Sequence, residues 1–217
     1  MCNLYSMTRA QDAVRRMFKV QGEFDLSGNL PSMPAIFPAF DAPVVRLGED
    51  GKRTLEKLSW GFVLPQKGKA AKRITNARDD KVRDSRFWRS SFEQRRCLVP
   101  ITSFAEPKGR KPAVWHWFAL DDSRPLFAFA GIWRSHRGYL RPDTDPVEID
   151  TYAFLTTTPN AIVKPIHPNR MPVMLVGEEA HDAWLEGTAE EAFALARPYP
   201  ADGMAIVHKG EAKDEAP

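Results

Sequence analysis

Five runs rich in aromatic and β-branched residues follow one another along the chain: Cys97–Ser103, Ala113–Leu120, Leu126–Trp133, Ile149–Thr157 and Pro172–Val176. Turn signals such as Lys108-Gly109 and Asp121-Asp122 separate them. Residues of this kind suit a pleated, half-buried surface, and short connections join antiparallel neighbours. Leu58–Val63 has the same character over a shorter span. Helical periodicity is confined to brief stretches. Ala10, Ala13, Val14, Met17 and Phe18 recur at helical spacing, giving a first helix to about Val20, with Thr8-Arg9-Ala10-Gln11 in front as a capping box. Residues 76–96 are polar and half helical, with Ser85 as cap and Phe87, Trp88 and Phe92 as the buried face. Two short helices are expected late in the chain, one over Glu178–Leu185 and one opening at Thr188 with Glu191 three residues on. Residues 27–43, rich in proline, read as an extended loop; residues 66–73 read as a basic loop; and the tail after Gly210 reads as frayed. Strands then helices without long linkers predict one α+β domain over residues 1–217, built on antiparallel sheets with a few peripheral helices.

Several classes of function fall away. No segment has the roughly 18 uninterrupted apolar residues that span a bilayer. Met1-Cys2-Asn3-Leu4-Tyr5-Ser6 lacks the basic and apolar regions of a signal peptide. With only two cysteines, Cys2 and Cys97, in a chain long enough to bury its own core, the expectation is a reducing, intracellular setting. Cys97 opens an apolar strand and reads as a buried structural thiol. His116, His136, His181 and His208 share no ligand spacing, so no metal site is expected. There is no glycine-rich phosphate loop or nucleophile elbow, and no cofactor is expected.

Cys2 carries the first chemical suggestion. Removal of Met1 leaves an α-amine and a thiol on adjacent carbons of one residue. Such an aminothiol condenses with an aldehyde to an imine, and the thiol then closes on the imine carbon as a five-membered thiazolidine. With an α-amino pKa of about 7.7–8, roughly one amine in six is unprotonated at pH 7. Ring closure is intramolecular and gains from high effective molarity. Position alone also allows an ordinary small residue near a terminus.

Three other segments hold polar residues suited to chemistry. In Ile74-Thr75-Asn76-Ala77-Arg78, Asn76 offers donors and an acceptor, while Arg78 matches a phosphate in bidentate fashion. Glu106, in Ser103-Phe104-Ala105-Glu106-Pro107, ends a strand and can act as a general acid or base if burial raises its pKa, or be a solvated turn residue. His167 stands between prolines in a loop before a strand, where a proton-transferring or a structural histidine are both possible.

Met1-Cys2, Asn76-Ala77-Arg78, Glu106 and Ile166-His167 followed by Arg170-Met171-Pro172 occur in an order that resembles the SRAP family, the SOS-response-associated peptidase-like proteins that process abasic sites. The resemblance runs from Cys2 to about Val176. It implies antiparallel, partly barrel-like sheets with a groove for single-stranded DNA, and a monomer that captures abasic sites through a thiazolidine. It makes Cys2 the nucleophile, has Asn76 hold the cysteine end and the sugar, lets Glu106 shuttle a proton, and has His167 assist sugar ring-opening. Arg78 and Arg170 would meet phosphates, and Trp60 would line the groove. Lys72 and Arg73 belong to the same expected DNA surface, since nine basic residues lie between Lys67 and Arg89. The chain departs from the family pattern at Asn3-Leu4, where many relatives have Gly-Arg; at Pro107, where many have tryptophan; and in one extra residue between His167 and Arg170. Two other functions fit the same residues. One is a cysteine peptidase using Cys2, His167 and Glu106, even one whose only substrate is its own Met1. The other is a single-strand-binding module without chemistry, driven by the basic loop.

Overall fold

The computed structural model describes residues 2–109 and 112–214. The chain begins with β1 (Tyr5–Met7), α1 (Gln11–Met17), β2 (Met33–Ile36), β3 (Asp41–Leu47), β4 (Arg53–Trp60), β5 (Phe62–Gln66), β6 (Lys69–Ile74) and β7 (Asn76–Arg78). The helices α2 (Asp79–Val82) and α3 (Arg89–Gln94) lead to β8 (Arg96–Ile101), β9 (Ser103–Lys108), β10 (Val114–Ala119), β11 (Phe127–Gly138) and β12 (Val147–Thr157). Then follow β13 (Met171–Pro172), β14 (Met174–Leu175), α4 (Glu178–Glu186), α5 (Ala189–Ala194) and β15 (Ala205–Gly210). This is an α+β fold dominated by sheets.

The strands β12, β4, β3, β8 and β11 pair in sequence, and β11 pairs back onto β12, closing a five-strand barrel. Every junction of the ring is antiparallel except β12 with β4, where Thr151 lies beside Ser59. A second, five-stranded sheet has the order β15-β10-β9-β1-β2. Side chains alternate across a strand, so Phe104 and Glu106 of β9 share one face with His116 and Phe118 of β10, their register partners. On that face Phe104 meets Phe129 of the ring at 5.7 Å between ring centroids, and Tyr5 of β1 meets it at 6.1 Å. On the other face Ala105, Trp117 and Leu4 form a small separate apolar cluster. Aromatic pairs in edge-to-face and offset contact add to the gain from burial and fix how the two sheets sit.

Trp60, Tyr152 and Phe154 are fully buried and stacked, with Trp60 5.4 Å from Phe154. Immediately after Trp60 the expected strand over residues 58–63 breaks in two. Gly61 has φ +102°, and a Cβ there would stand 2.9 Å from the Cβ of Arg73. That is a backbone turn open to glycine only, and it redirects the chain from the ring into the β5–β6 hairpin. Residues 66–73 are thus the tip of a hairpin, a turn at Lys67-Gly68 followed by β6, with Val63 opposite Arg73 and Leu64 opposite Lys72. The run 97–103 breaks likewise at Thr102, whose amide donates to the Ser6 carbonyl at 2.9 Å and whose side chain is buried.

Three further expectations are corrected. Residues 27–43 include β2 and the start of β3, with Pro43 opposite Lys57 inside the ladder. Thr8 does not cap α1: its amide and hydroxyl both reach the Thr102 hydroxyl at 3.3 Å, while the Gln11 amide donates to Asp25 at 2.6 Å. Tertiary partners outcompete the local cap. The chain beyond Gly210 is fastened up to Asp214, which is buried, accepts from Arg124 at 2.7 and 3.0 Å and takes a hydrogen bond from Ser103. The capping box at Thr188 is present, with Glu191 donating its amide to the Thr188 hydroxyl at 3.2 Å and accepting from the Thr188 amide at 2.7 Å.

Candidate active site

β1 lies beside β9 with Tyr5 opposite Phe104, which carries the residues just before it toward Glu106. β7 lies parallel to β12, with Asn76 beside Phe154 and Arg78 beside Thr156. The chain leaves β12 after Thr157, makes a loop through residues 158–170, and returns as β13 to pair with Thr156 and Thr157. The loop that holds His167 therefore starts and ends beside Thr156 and Thr157, the end of β12 that pairs with β7 on its other side. Three segments far apart in sequence converge there.

Cys2 is 1% exposed. Its carbonyl accepts a hydrogen bond from Asn76 Nδ2 at 2.9 Å, and its thiol points to the Leu4 carbonyl at 3.5 Å. Asn76 Nδ2 also donates to the Thr75 hydroxyl at 2.6 Å, and that hydroxyl donates to Asn3 Oδ1 at 3.0 Å. Residues 2 and 3 are thus held to residues 75 and 76 by three hydrogen bonds in series. Burial, and next the charge of Glu106, push the Cys2 pKa well above its ordinary value, so the sulfur is a thiol at neutral pH.

Glu106 is 1% exposed, and neither carboxylate oxygen has a hydrogen-bond partner. Burial raises its pKa from 4.5 to about 7. The Oδ1 atom of Asn76 is also buried and unpartnered. Buried acceptors without donors are rare and cost on the order of 1–3 kcal/mol each, more when charged. Three such atoms belong to the two side chains that approach Cys2.

His167 is half-buried, and burial lowers its pKa, so the ring is neutral at pH 7. Its Nδ1 lies 2.7 Å from the Arg170 carbonyl. A carbonyl only accepts, so Nδ1 carries the proton and Nε2 is the basic nitrogen. The Arg170 amide, 3.3 Å from the same Nδ1, is then a close neighbour rather than a donor. Glu106 makes no hydrogen bond to this ring, so a row of nucleophile, base and orienting carboxylate is not assembled here.

The residues expected to meet DNA divide. Lys72 is exposed on β6. Arg73, half-buried beside it, donates to the Gly61 carbonyl at 3.0 Å. Arg78 is exposed but forms a fork with Asp80 at 2.9 and 2.6 Å. Arg170 is 13% exposed at its side chain and spends its guanidinium on Asp79, the Thr156 carbonyl and the Thr156 hydroxyl. Trp60 requires correction: it is 0% exposed, its indole N–H donates to the Thr75 carbonyl at 3.3 Å, and its ring is covered by Tyr152 and Phe154. It supports the site from below and offers no face to a base. Trp88, expected on a buried helical face, is buried against Phe62 and Phe87.

The family model of the SOS response associated peptidase (SRAP) matches residues 1–210. The chain belongs to the SRAP family. Two similar relatives come from Bacillus subtilis (strain 168). The abasic site processing protein YoaM is 30% identical over 220 residues, covering 94% of this chain and 88% of its own. The abasic site processing protein YoqW is 29% identical over 216 residues, covering 94% and 90%. Among solved structures, an X-ray structure of a Bacteroides thetaiotaomicron protein aligns with a TM-score of 0.74 at 21% identity, over 94% of this chain and 90% of that one. One from Bordetella bronchiseptica aligns with a TM-score of 0.72 at 23% identity, over 96% and 98%. These two structures share the fold of this chain.

Two residues of this candidate site were not singled out from sequence. Thr75 bridges Asn76 to Asn3, and its signal was its place directly before Asn76. Asp79 holds Arg170, and nothing in its local sequence signals a partner 91 residues away.

Proposed function

We propose that the protein captures abasic sites in single-stranded DNA, joining the ring-opened sugar aldehyde to the α-amine and thiol of Cys2 once Met1 has been removed. The observation that carries this reading is the set of three buried acceptors, Asn76 Oδ1 and both oxygens of Glu106, with no donor among the described residues. A free amino group on Cys2 brings N–H donors to that place. The pKa of Glu106, about 7, lets the same carboxyl hold or release a proton at working pH.

In this reading the neutral His167, with Nε2 as its base, takes the proton of the C1′ hydroxyl as the C1′–O4′ bond breaks and returns it to O4′, which becomes the 4′-hydroxyl of the open-chain aldehyde. The Cys2 amine adds to the aldehyde carbon, forming a C–N bond. Protonated Glu106 then gives its proton to the carbinol oxygen, which leaves as water, and an iminium remains. The Cys2 sulfur attacks the iminium carbon while its proton passes to the Glu106 carboxylate. One C–N and one C–S bond form, one water is released, and Glu106 regains its proton. A buried, protonated thiol suits this order of events, because the amine attacks first and sulfur follows. Asn76 fixes the backbone of Cys2 throughout. Lys72, Arg73 and Arg78 face the flanking phosphates, and Arg170 shares that role only by exchanging Asp79 for a phosphate. The names of the relatives, abasic site processing proteins, support the substrate.

The test is adduct formation with a single-stranded oligonucleotide carrying one abasic site, followed on a denaturing gel. Wild-type protein gives a stable shifted band. Cys2→Ala and a chemically acetylated N-terminus both abolish it. A band of undiminished yield from either contradicts the reading.

A further inference from the structure

The β5–β6 hairpin does not stand alone. Its Ala71 amide donates to the Leu140 carbonyl at 2.8 Å, tying it to the far end of the β11–β12 hairpin. Between the two arms lies a cleft of about 410 Å³, whose lining includes Pro65, Lys69, His136, Arg137, Tyr139 and Arg141. Among the described residues, no carboxylate lines it. Arg137 is paired with Glu148 at 2.7 Å, but Lys69 and Arg141 have no ion-pair partner among the described residues. Tyr139 is 58% exposed, an unusual position for a large ring. His136 Nε2 is buried at the cleft wall and has no hydrogen-bond partner among the described residues.

An uncovered aromatic ring between unpaired cations, with a lone polar atom set behind them, has the makings of a stacking platform for an unpaired base with phosphates on either side. The cleft is also in line with the site. From Lys69, β6 runs without interruption to Ile74, one residue from Thr75 and two from Asn76. At about 3.3 Å per residue that path is roughly 20 Å, on the order of five nucleotides of a partly stacked strand.

We infer that the cleft between the two hairpins is a second nucleic-acid subsite, which takes a base and its phosphates from the single strand on one side of the lesion only. This rests on the reading that DNA occupies the Cys2 site. The base stacks on Tyr139, Lys69 and Arg141 hold the phosphates, and His136 Nε2 meets the base edge. The subsite adds affinity and a direction to binding without touching the reacting atoms.

The experiment uses two single-stranded probes, each with a tetrahydrofuran lesion analogue that lacks the aldehyde, so that binding stays reversible. One carries about fifteen nucleotides only 5′ of the lesion, the other the same length only 3′. Fluorescence anisotropy compares wild type with Tyr139→Ala/Arg141→Glu. The double variant is expected to bind one probe about tenfold more weakly and the other unchanged. Its adduct yield with a reactive oligonucleotide of about six nucleotides whose abasic site is central, too short on either side to reach the cleft, stays at the wild-type level. Equal affinity of variant and wild type for both probes overturns the inference, and so does an equal loss on both. Failure of the Cys2 reading shows separately: wild type then makes no adduct with the short reactive oligonucleotide, while the one-sided loss on the analogue probes remains.

Discussion

Glu106 binds its proton more tightly in the folded chain than in the unfolded one, because burial lifts its pKa from 4.5 to about 7. Between those values the native state holds more protons than the unfolded state, so this residue makes stability fall as pH rises through the window. Its stabilising contribution is complete below about pH 4.5 and lost above about pH 7. Glu106→Gln removes that dependence. The stability of the variant relative to wild type should rise by up to about 3 kcal/mol between pH 4 and pH 8, read from urea titrations at both pH values. An unchanged difference argues that the carboxyl is solvated. For Cys2 the prediction is chemical. Cys2→Ser keeps the amine but loses sulfur, so its product should stop at an imine, trapped only when borohydride is present and otherwise ending in strand cleavage. A variant product that survives heating without reductant speaks against the ring. The residue types at 2, 76, 106 and 167 were legible because each is a reactive group in a telling sequence neighbourhood. What sequence concealed was burial. Nothing in Ser103–Pro107 says that Glu106 is enclosed, and nothing in Ser59-Trp60-Gly61 says that the indole faces inward, since the covering rings of Tyr152 and Phe154 lie some 90 residues away.

Two capping signals that look alike in sequence behave differently as elements. At Thr188 the hydroxyl and Glu191 satisfy each other on an exposed helix start, with no competing partner among the described residues. Thr188→Ala should cost about 1 kcal/mol in thermal or urea unfolding, and Thr188→Asp should recover most of it. An alanine variant as stable as wild type shows that α5 is held by packing alone. At Thr8 the same kind of motif is drawn to Thr102, 94 residues away, and α1 starts without a side-chain cap. Local chemistry predicts a cap only where tertiary contacts leave the group free. The same rule governs the strands. Runs 113–120, 126–133 and 149–157 were legible from aromatic and β-branched content, and they became β10, β11 and β12. The long arm of β11 past Trp133 reads Arg-Ser-His-Arg-Gly and carries no apolar pattern, because its outer half is partly exposed and held by the ladder to β12. β6, read as a basic loop, is a strand for the same reason: its partner β5 supplies the hydrogen bonds, and Lys69, Lys72 and Arg73 can stay at the surface.

For the molecule as a whole, the two sheets must stay in place for segments at residues 2, 76, 106 and 167 to meet. One fastening is the end of the described chain, where Asp214 clamps Arg124 and Ser103 beside β9. Arg124 and Asp214 are 8% and 1% exposed at their side chains, so removing either leaves a buried charge alone. Asp214→Ala should destabilise by about 3 kcal/mol, and Asp214→Ala with Arg124→Met should recover a good part of that. A single variant within a few tenths of wild type would mean the clamp is open in solution. The α+β class and its antiparallel character could be read from the strand signals, whereas closure of the barrel depends on β11 pairing back onto β12 and on the parallel junction of β12 with β4, which no local pattern encodes. The account depends above all on a free amino group and a thiol on the same residue. Intact-mass spectrometry of the purified protein, before and after incubation with a short abasic oligonucleotide, reads both at once. The expected result is a chain beginning at Cys2 that gains the mass of the oligonucleotide less one water. A chain that still begins with Met1 and yet gains that mass in full contradicts the account.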